Sequence, residues 1–172
     1  MPNKNLLQTS CRTLKPWQLR WILNWFPPLL FQRIRVQEIS NDFLLVRLRA
    51  KHSLWNRNLN GTIYGGTIYS AADPIFPVMY WQALAHRGLA LQTWLMATEA
   101  RFVKPGASHL DFTFRLTSAA IDSAEEELLR RGKAVRTHSV VAVDQDGAIC
   151  AEFQLVSYLR LLRSGDKELS GF

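Results

Sequence analysis

The sequence predicts an α+β domain in which one long apolar helix is wrapped by a mostly antiparallel sheet. Two observations carry that expectation. Between Arg57 and Arg87 the one residue among Asp, Glu, Lys and Arg is Asp73, and the run after Gly66 (Ile68, Ala71, Ala72, Ile75, Phe76, Val78, Met79, Trp81, Leu84) is apolar on nearly every side, as in a helix buried all round. Flanking stretches alternate with a period of two. Leu44, Val46 and Leu48 interleave with Arg47 and Arg49, and Leu110, Phe112, Phe114 and Leu116 with Asp111, Thr113 and Arg115, the pattern of strands with one buried face. A helix apolar on every face needs cover on every side, and a sheet curled around it supplies that. The 172 residues suffice for one domain with a full core, assigned to 1–172.

In chain order, residues 1–13 read as a loose leader and 14–31 as an N-terminal helical segment. Trp17, Trp21 and Trp25 recur every four residues from Lys15 to Trp25, and Pro27-Pro28 ends or sharply bends that helix. The tryptophan ladder suits an interfacial membrane anchor, with Lys15 and Arg20 nearby; the preferred expectation is a helix covering one edge or face of its own domain. Strands follow near Arg33 to Ile39 and Phe43 to Ala50, joined at Ser40-Asn41-Asp42. A polar loop runs from Lys51 to Thr62, and the apolar helix from about Gly65 to Ala85. Strands are expected at about Gln92 to Val103 and Leu110 to Leu116. A helix from about Ser123 to Arg131 has Glu125, Glu126 and Glu127 early and Arg130 and Arg131 late, matching the helix dipole. Two last strands, Ala134 to Val143 and Ala148 to Leu159, flank the hairpin signal Asp144-Gln145-Asp146-Gly147. Residues 163–172 read as a frayed tail.

The net charge of +7 is unevenly placed: residues 1–60 carry ten Lys and Arg against Glu38 and Asp42, or +8, and the remainder carries −1. Such a field can attract nucleic acid, anionic lipid, an acidic carrier protein or a phosphorylated cofactor, and the preferred expectation is a solubilising surface. No nucleic-acid module accompanies it, so nucleic acid is not expected as a partner. Cys11 and Cys150 have no pairwise metal spacing, which fits a reduced, cytoplasmic chain. No run reaches the length of a membrane span, and no basic, apolar and cleavable leader pattern opens the chain. His52, His86, His109 and His138 lack helical ligand spacing, and there is neither a Gly-x-Ser-x-Gly elbow nor a phosphate loop of the Walker type.

Asp73 is the candidate functional residue. Ionising a carboxylate among apolar side chains costs on the order of several kcal/mol unless it is paired, hydrogen-bonded or functional, which raises its pKa toward general-base chemistry. If Gly65 and Gly66 open the helix, their N–H groups are among its unpaired donors and face any anion or carbonyl oxygen approaching the N-terminus. The competing explanation is structural. Asp73 precedes Pro74, as an N-cap precedes a proline at the first helical position, and Pro77 removes a hydrogen bond to the Asp73 carbonyl, so a kink or break is expected there.

The order of elements, with Asn58-x-x-Gly61-x-x-Tyr64-Gly65-Gly66-x6-Asp73 and the turn Phe102-Val103-Lys104-Pro105, resembles the hot-dog fold over about residues 30–160. Within it the chain resembles the acyl-CoA thioesterases of the phenylacetyl-CoA thioesterase-like branch, or a related uncharacterised hot-dog family with an N-terminal helix. The resemblance implies Asp73 as nucleophile or general base, the Gly65 or Gly66 N–H as receiver of the thioester carbonyl oxygen, and Asn58 as the residue orienting water or thioester. Tyr64, where many members have His, together with Asn60 and Arg57, is expected to contact substrate. The implied activity is hydrolysis of an acyl thioester of coenzyme A or an acyl carrier protein, in a groove shared by a homodimer or homotetramer, with no cofactor beyond the coenzyme A of the substrate. Arg47, Arg49, Lys51 and Arg57 are candidates for its phosphates. A non-catalytic module that binds acyl thioesters is the alternative.

Overall fold

Two prolines shape the N-terminal segment of the computed structural model, which describes residues 11–162. Pro16 occupies the first position of α1 (Pro16–Trp25), where its missing N–H costs nothing, and Pro27 opens α2 (Pro27–Phe31) after Phe26 turns the backbone extended. Of the leader expected over 1–13, only 11–13 fall within the described residues. The adjoining backbone is tied down by α4 (introduced below): the buried Gln82 accepts from the Leu14 N–H at 2.8 Å, and His86 Nε2 lies 3.0 Å from the Leu14 carbonyl. The expected tail over 163–172 lies outside the described residues.

The remaining elements are β1 (Ile34–Ile39), β2 (Leu45–Ala50), α3 (Gly65–Ala72), α4 (Ile75–Ala85), β3 (Leu91–Phe102), β4 (Leu110–Arg115), α5 (Ser118–Arg131), β5 (Lys133–Val143) and β6 (Ile149–Leu161). All strand pairs are antiparallel, in the spatial order β1-β2-β4-β5-β6-β3. Inward residues of the strands, Leu48, Phe112, Phe114, Phe153 and Leu155, join Phe76, Met79 and Tyr80 of α4 in one core. Nine of the eleven residues of α4 are buried, so the helix has almost no solvent face, as its composition requires. The Phe76 and Phe114 rings meet edge to face at 5.2 Å.

Three details differ from the sequence expectation or sharpen it. First, the helix from Gly65 to Ala85 is interrupted at Asp73-Pro74, yet both residues keep right-handed helical backbone angles. The Asp73 N–H still donates to the Tyr69 carbonyl at 3.1 Å, and the Val78 N–H to Pro74 at 3.1 Å. Pro74 and Pro77 delete two helical donors without ending the helix. Second, α5 begins at Ser118 rather than near Ser123: Thr117 caps it, its hydroxyl accepting from the Ala120 N–H at 3.1 Å. Third, α1 does cover an edge of the domain, but with Leu19 and Leu23 buried and the tryptophans outward. Asn24 of α1 pairs with both backbone groups of Val36, accepting from its N–H at 2.8 Å and donating to its carbonyl at 3.0 Å, and Arg20 donates to the Gln37 carbonyl at 2.9 Å. The free edge of β1 is thereby sealed by side chains.

Candidate active site

The start of α3 is built by the loop before it. Asn56, 4% exposed, is the anchor. Its amide donates to the carbonyls of Gln32 at 2.7 Å and Lys51 at 2.8 Å, and its side-chain oxygen accepts from the Ser53 N–H and hydroxyl, both at 3.0 Å. Its own carbonyl receives the Tyr64 N–H at 2.7 Å, which fixes the residue ahead of the glycine pair. A narrow hairpin between Arg57 and Ile63 carries the loop, and the Gly106 carbonyl accepts the Ile63 N–H at 2.9 Å, joining it to the turn after β3.

Tyr64 ends the loop in extended backbone, and its carbonyl accepts from Thr67 at 2.9 Å and Ile68 at 3.2 Å. The next two N–H groups, of Gly65 and Gly66, have no acceptor among the described residues; they are the free donors expected of a helix start. A Cβ at Gly66 would lie 2.3 Å from the Tyr64 ring, and one at Gly65 would touch Phe102 at 3.6 Å. Glycine at 66 therefore allows the tyrosine to lie against the helix start. Tyr64, Gly66 and Arg57 border one open groove of about 450 Å³, completed by Trp55, Thr67 and Ser70 among others. Ser70 is spent within the helix, donating to the Gly66 carbonyl at 2.8 Å and accepting from Gln32 at 3.1 Å.

Asn58 is placed differently from the others. Its side chain closes the hairpin tip, donating to the Thr62 hydroxyl at 2.9 Å and accepting from the N–H groups of Asn60 at 2.9 Å and Thr62 at 3.2 Å. Gly61 takes the left-handed conformation (φ 76°) that this turn needs. Asn60 is exposed at the same tip, and neither asparagine lines the groove.

Asp73 stands seven residues beyond Gly66, so the two share a helix face two turns, or about 10 Å, apart. It is not enclosed in the single chain, as the composition of its helix had led us to expect: it lies exposed, on a helix face with Tyr69 and Ser70. Crowding by apolar neighbours nonetheless raises its pKa above the ordinary aspartate value. It caps no helix, since α4 has no side-chain cap, and its carboxylate makes no hydrogen bond or ion pair with any described residue. Most other carboxylates are engaged: Asp111 grips Arg49 through two bonds of 2.6 and 2.7 Å, Asp144 holds Lys104 at 2.6 Å, and Glu127 holds Arg136 at 2.7 Å. Arg47 meets Glu38 at 3.2 Å. Of the four cations singled out for phosphate contact, Arg57 and Lys51 are therefore the ones without an ion pair among the described residues.

The histidines are dispersed. His52 Nε2 lies 2.6 Å from the Gly61 carbonyl, and His138 of β5 shares a 2.8 Å hydrogen bond with the Tyr80 hydroxyl while stacking on Phe76 at 4.7 Å. Burial, then the nearby Arg136, lowers the His138 pKa, and burial pushes Tyr80 up to about 12. Both groups are thus neutral at physiological pH and serve the core. The residues that sequence reasoning missed are Asn56 and Trp55. Asn56 carried no signal to separate it from Asn58 and Asn60, and Trp55 sat in a stretch read only as polar loop.

An antiparallel sheet wrapped around a central helix defines the hot-dog fold, and this chain has it. Residues 16–159 match the family model described as a domain of unknown function, DUF4442, and the chain belongs to that family. No functionally curated protein matches it. Among solved structures it is similar to PA5026 of Pseudomonas aeruginosa, a probable thioesterase of unknown function, at 21% identity and a TM-score of 0.77, covering 87% of this chain and 99% of that one. It is also similar to the Haemophilus influenzae thioesterase HI1161, at 12% identity and a TM-score of 0.64, over 91% and 97% of the two chains. The Escherichia coli PaaI protein of the phenylacetic acid degradation operon matches at 17% identity and a TM-score of 0.58, over 86% and 94%. At these identities the likeness establishes the fold.

Proposed function

We propose that the protein hydrolyses acyl thioesters, with coenzyme A or an acyl carrier protein as the thiol. Asp73 acts as general base on a water, or as nucleophile, and the N–H groups of Gly65 and Gly66 receive the carbonyl oxygen as it gains charge. A thiolate leaves readily, so a carboxylate and an oxyanion site suffice; such groups supply about 10²–10⁴ and 10²–10³ in rate respectively. The observation that carries this reading is the uncommitted Asp73, which has no structural partner among the described residues and shares a helix face with two unpaired N–H donors. Thioesterase names among structures of the same fold support it.

Two turns of helix separate base from donors, farther than a single water relay with contacts of about 3 Å spans comfortably. This favours a site shared between two chains, the glycine pair of one facing Asp73 of the other. The sheet supports such a homodimer. Its β1 edge is sealed by α1, whereas β3, twelve residues long, forms the other edge and exposes Trp94, Met96 and Phe102, a surface that calls for pairing.

Release of free thiol from a panel of acyl-CoAs of increasing chain length, measured beside calorimetric binding of the same compounds, tests the reading. Turnover of at least one member is expected. Tight binding without any thiol release would instead support the non-catalytic acyl-thioester module.

A further inference from the structure

The outward face of α1 stands apart from the candidate active site. On the helical wheel Trp17, Trp21 and Trp25 form one stripe, and the buried Leu19 and Leu23 lie on the opposite side. The domain therefore uses one face of α1 and leaves the other to solvent: the three indoles are 64%, 61% and 61% exposed. Trp21 and Trp25 contact each other at 6.1 Å, and the three rings line an open trough of about 560 Å³ with Ile22, Phe26 and Pro27 among its walls. Arg20 is the one charged residue within α1, on the flank that meets β1. Exposed aromatic stripes of this size are uncommon on surfaces that meet water alone.

The charge around the stripe identifies what it meets. The first acidic residue of the chain is Glu38; the 37 residues before it hold six Lys and Arg, including Arg12 and Lys15 beside the ladder. A second copy of the same surface would bring like charges together, and an apolar core of another protein would gain nothing from them. Indole rings prefer the boundary between headgroups and acyl chains, where an apolar body and an N–H donor are both accommodated, and flanking cations add attraction to anionic lipid.

We infer that α1 is an interfacial anchor that docks the domain on an anionic lipid surface, its three tryptophans entering the headgroup boundary and its flanking cations meeting lipid phosphates. It lies on the surface and does not span it; no described helix is long and apolar enough to cross a membrane. The inference is independent of thioester hydrolysis.

Vesicle sedimentation of the full chain, with tryptophan fluorescence read in parallel, tests it. On vesicles of phosphatidylcholine containing about 30% phosphatidylglycerol the protein is expected to pellet with a blue-shifted emission. Partitioning should be about tenfold or more weaker on phosphatidylcholine alone, and it should weaken with added salt. The variant Trp17→Ala/Trp21→Ala/Trp25→Ala should lose about 10²-fold or more in partitioning, because binding scales with buried apolar area. Since the indoles face outward, its melting temperature should hold. If it does not, Trp21→Ala alone decides: weaker partitioning supports the anchor and unchanged partitioning overturns it. Failure of the parent protein to bind anionic vesicles, equal binding to neutral ones, or undiminished binding by the folded triple variant overturns the inference. So does loss of self-association in that variant where the parent never bound lipid, which would make the face a contact between copies.

Discussion

Gly66 and Tyr64 constrain each other at the mouth of the candidate site. In Gly66→Ala the new methyl enters space held by the Tyr64 ring, and because that ring is 60% exposed it can swing away. Helix propensity favours alanine by about 1 kcal/mol, so stability should stay within about that amount of the parent. Turnover should fall by on the order of tenfold or more, because the methyl and the displaced ring crowd the N–H donors; unchanged kcat and KM would remove the oxyanion role from this position. His138 makes a second residue-scale prediction. Its lowered pKa means that the fold favours the neutral ring, so stability is present above the unfolded value of about 6.5 and is lost progressively as pH falls below that and through the lower folded value. The melting temperature should drop by a few degrees between pH 7.5 and 5.5, and His138→Gln, which can still bond Tyr80, should flatten that slope. Equal slopes would show that His138 does not titrate against the fold. Asp42, Glu127 and Asp144, whose pKa values are lowered chiefly by hydrogen bonds from Ser40, Arg136 and Lys104 respectively, lose their contribution only at more acidic pH. The roles of Asn56 and Asn58 were not legible from sequence. Four asparagines stand within residues 41–60, all suited to turns, and only the fold shows that one is buried under four hydrogen bonds while another closes a hairpin tip.

At the scale of elements, the loop over 51–64 holds the helix start in register. Asn56→Ala would strand the Gln32 and Lys51 carbonyls and the Ser53 N–H, and it should cost about 2 kcal/mol or more in denaturant unfolding. Thiol release should fall with it as the Tyr64-Gly65-Gly66 turn loosens. A variant as stable as the parent would contradict the anchoring role. The elements themselves were largely legible, and for physical reasons. Strands β2 and β4 announced themselves by alternation, the other four by strand-like stretches beside turn signals, and α3 with α4 by a run whose sole acid is Asp73. The start of α5 was hidden because Glu125 to Glu127 gave a stronger dipole signal than the Thr117 cap five residues before Asp122. The orientation of α1 was hidden for another reason. Both of its faces are apolar, one with leucine and one with tryptophan, so periodicity placed a helix without saying which side the domain would keep. The exposure of Asp73 was illegible likewise, since composition describes a helix and not how far the rest of the chain covers it.

For the whole molecule, an edge sealed by Asn24 and Arg20 at β1 and an open edge at β3 predict closed two-fold assembly. Sedimentation at micromolar concentration should report a dimer or a dimer of dimers; a fully active monomer would remove the shared site. Arg57, which lines the groove, and Lys51, both without an ion pair among the described residues, predict that coenzyme A esters bind more weakly as salt rises, over the ~8–10 Å screening length of physiological solutions, with little change in the contribution of the acyl part. Salt-independent binding would leave these residues to solubility. The central claim is that Asp73 is kept for chemistry, and the near-isosteric Asp73→Asn variant addresses it directly. The raised pKa of Asp73 means that its ionised form opposes folding as pH rises through that value, and at neutral pH the amide should therefore leave the melting temperature equal or higher. Thiol release, acyl-CoA binding and melting temperature are measured on one preparation. The account predicts turnover lower by about 10²-fold or more with binding and stability retained, and turnover equal to that of the parent would contradict it.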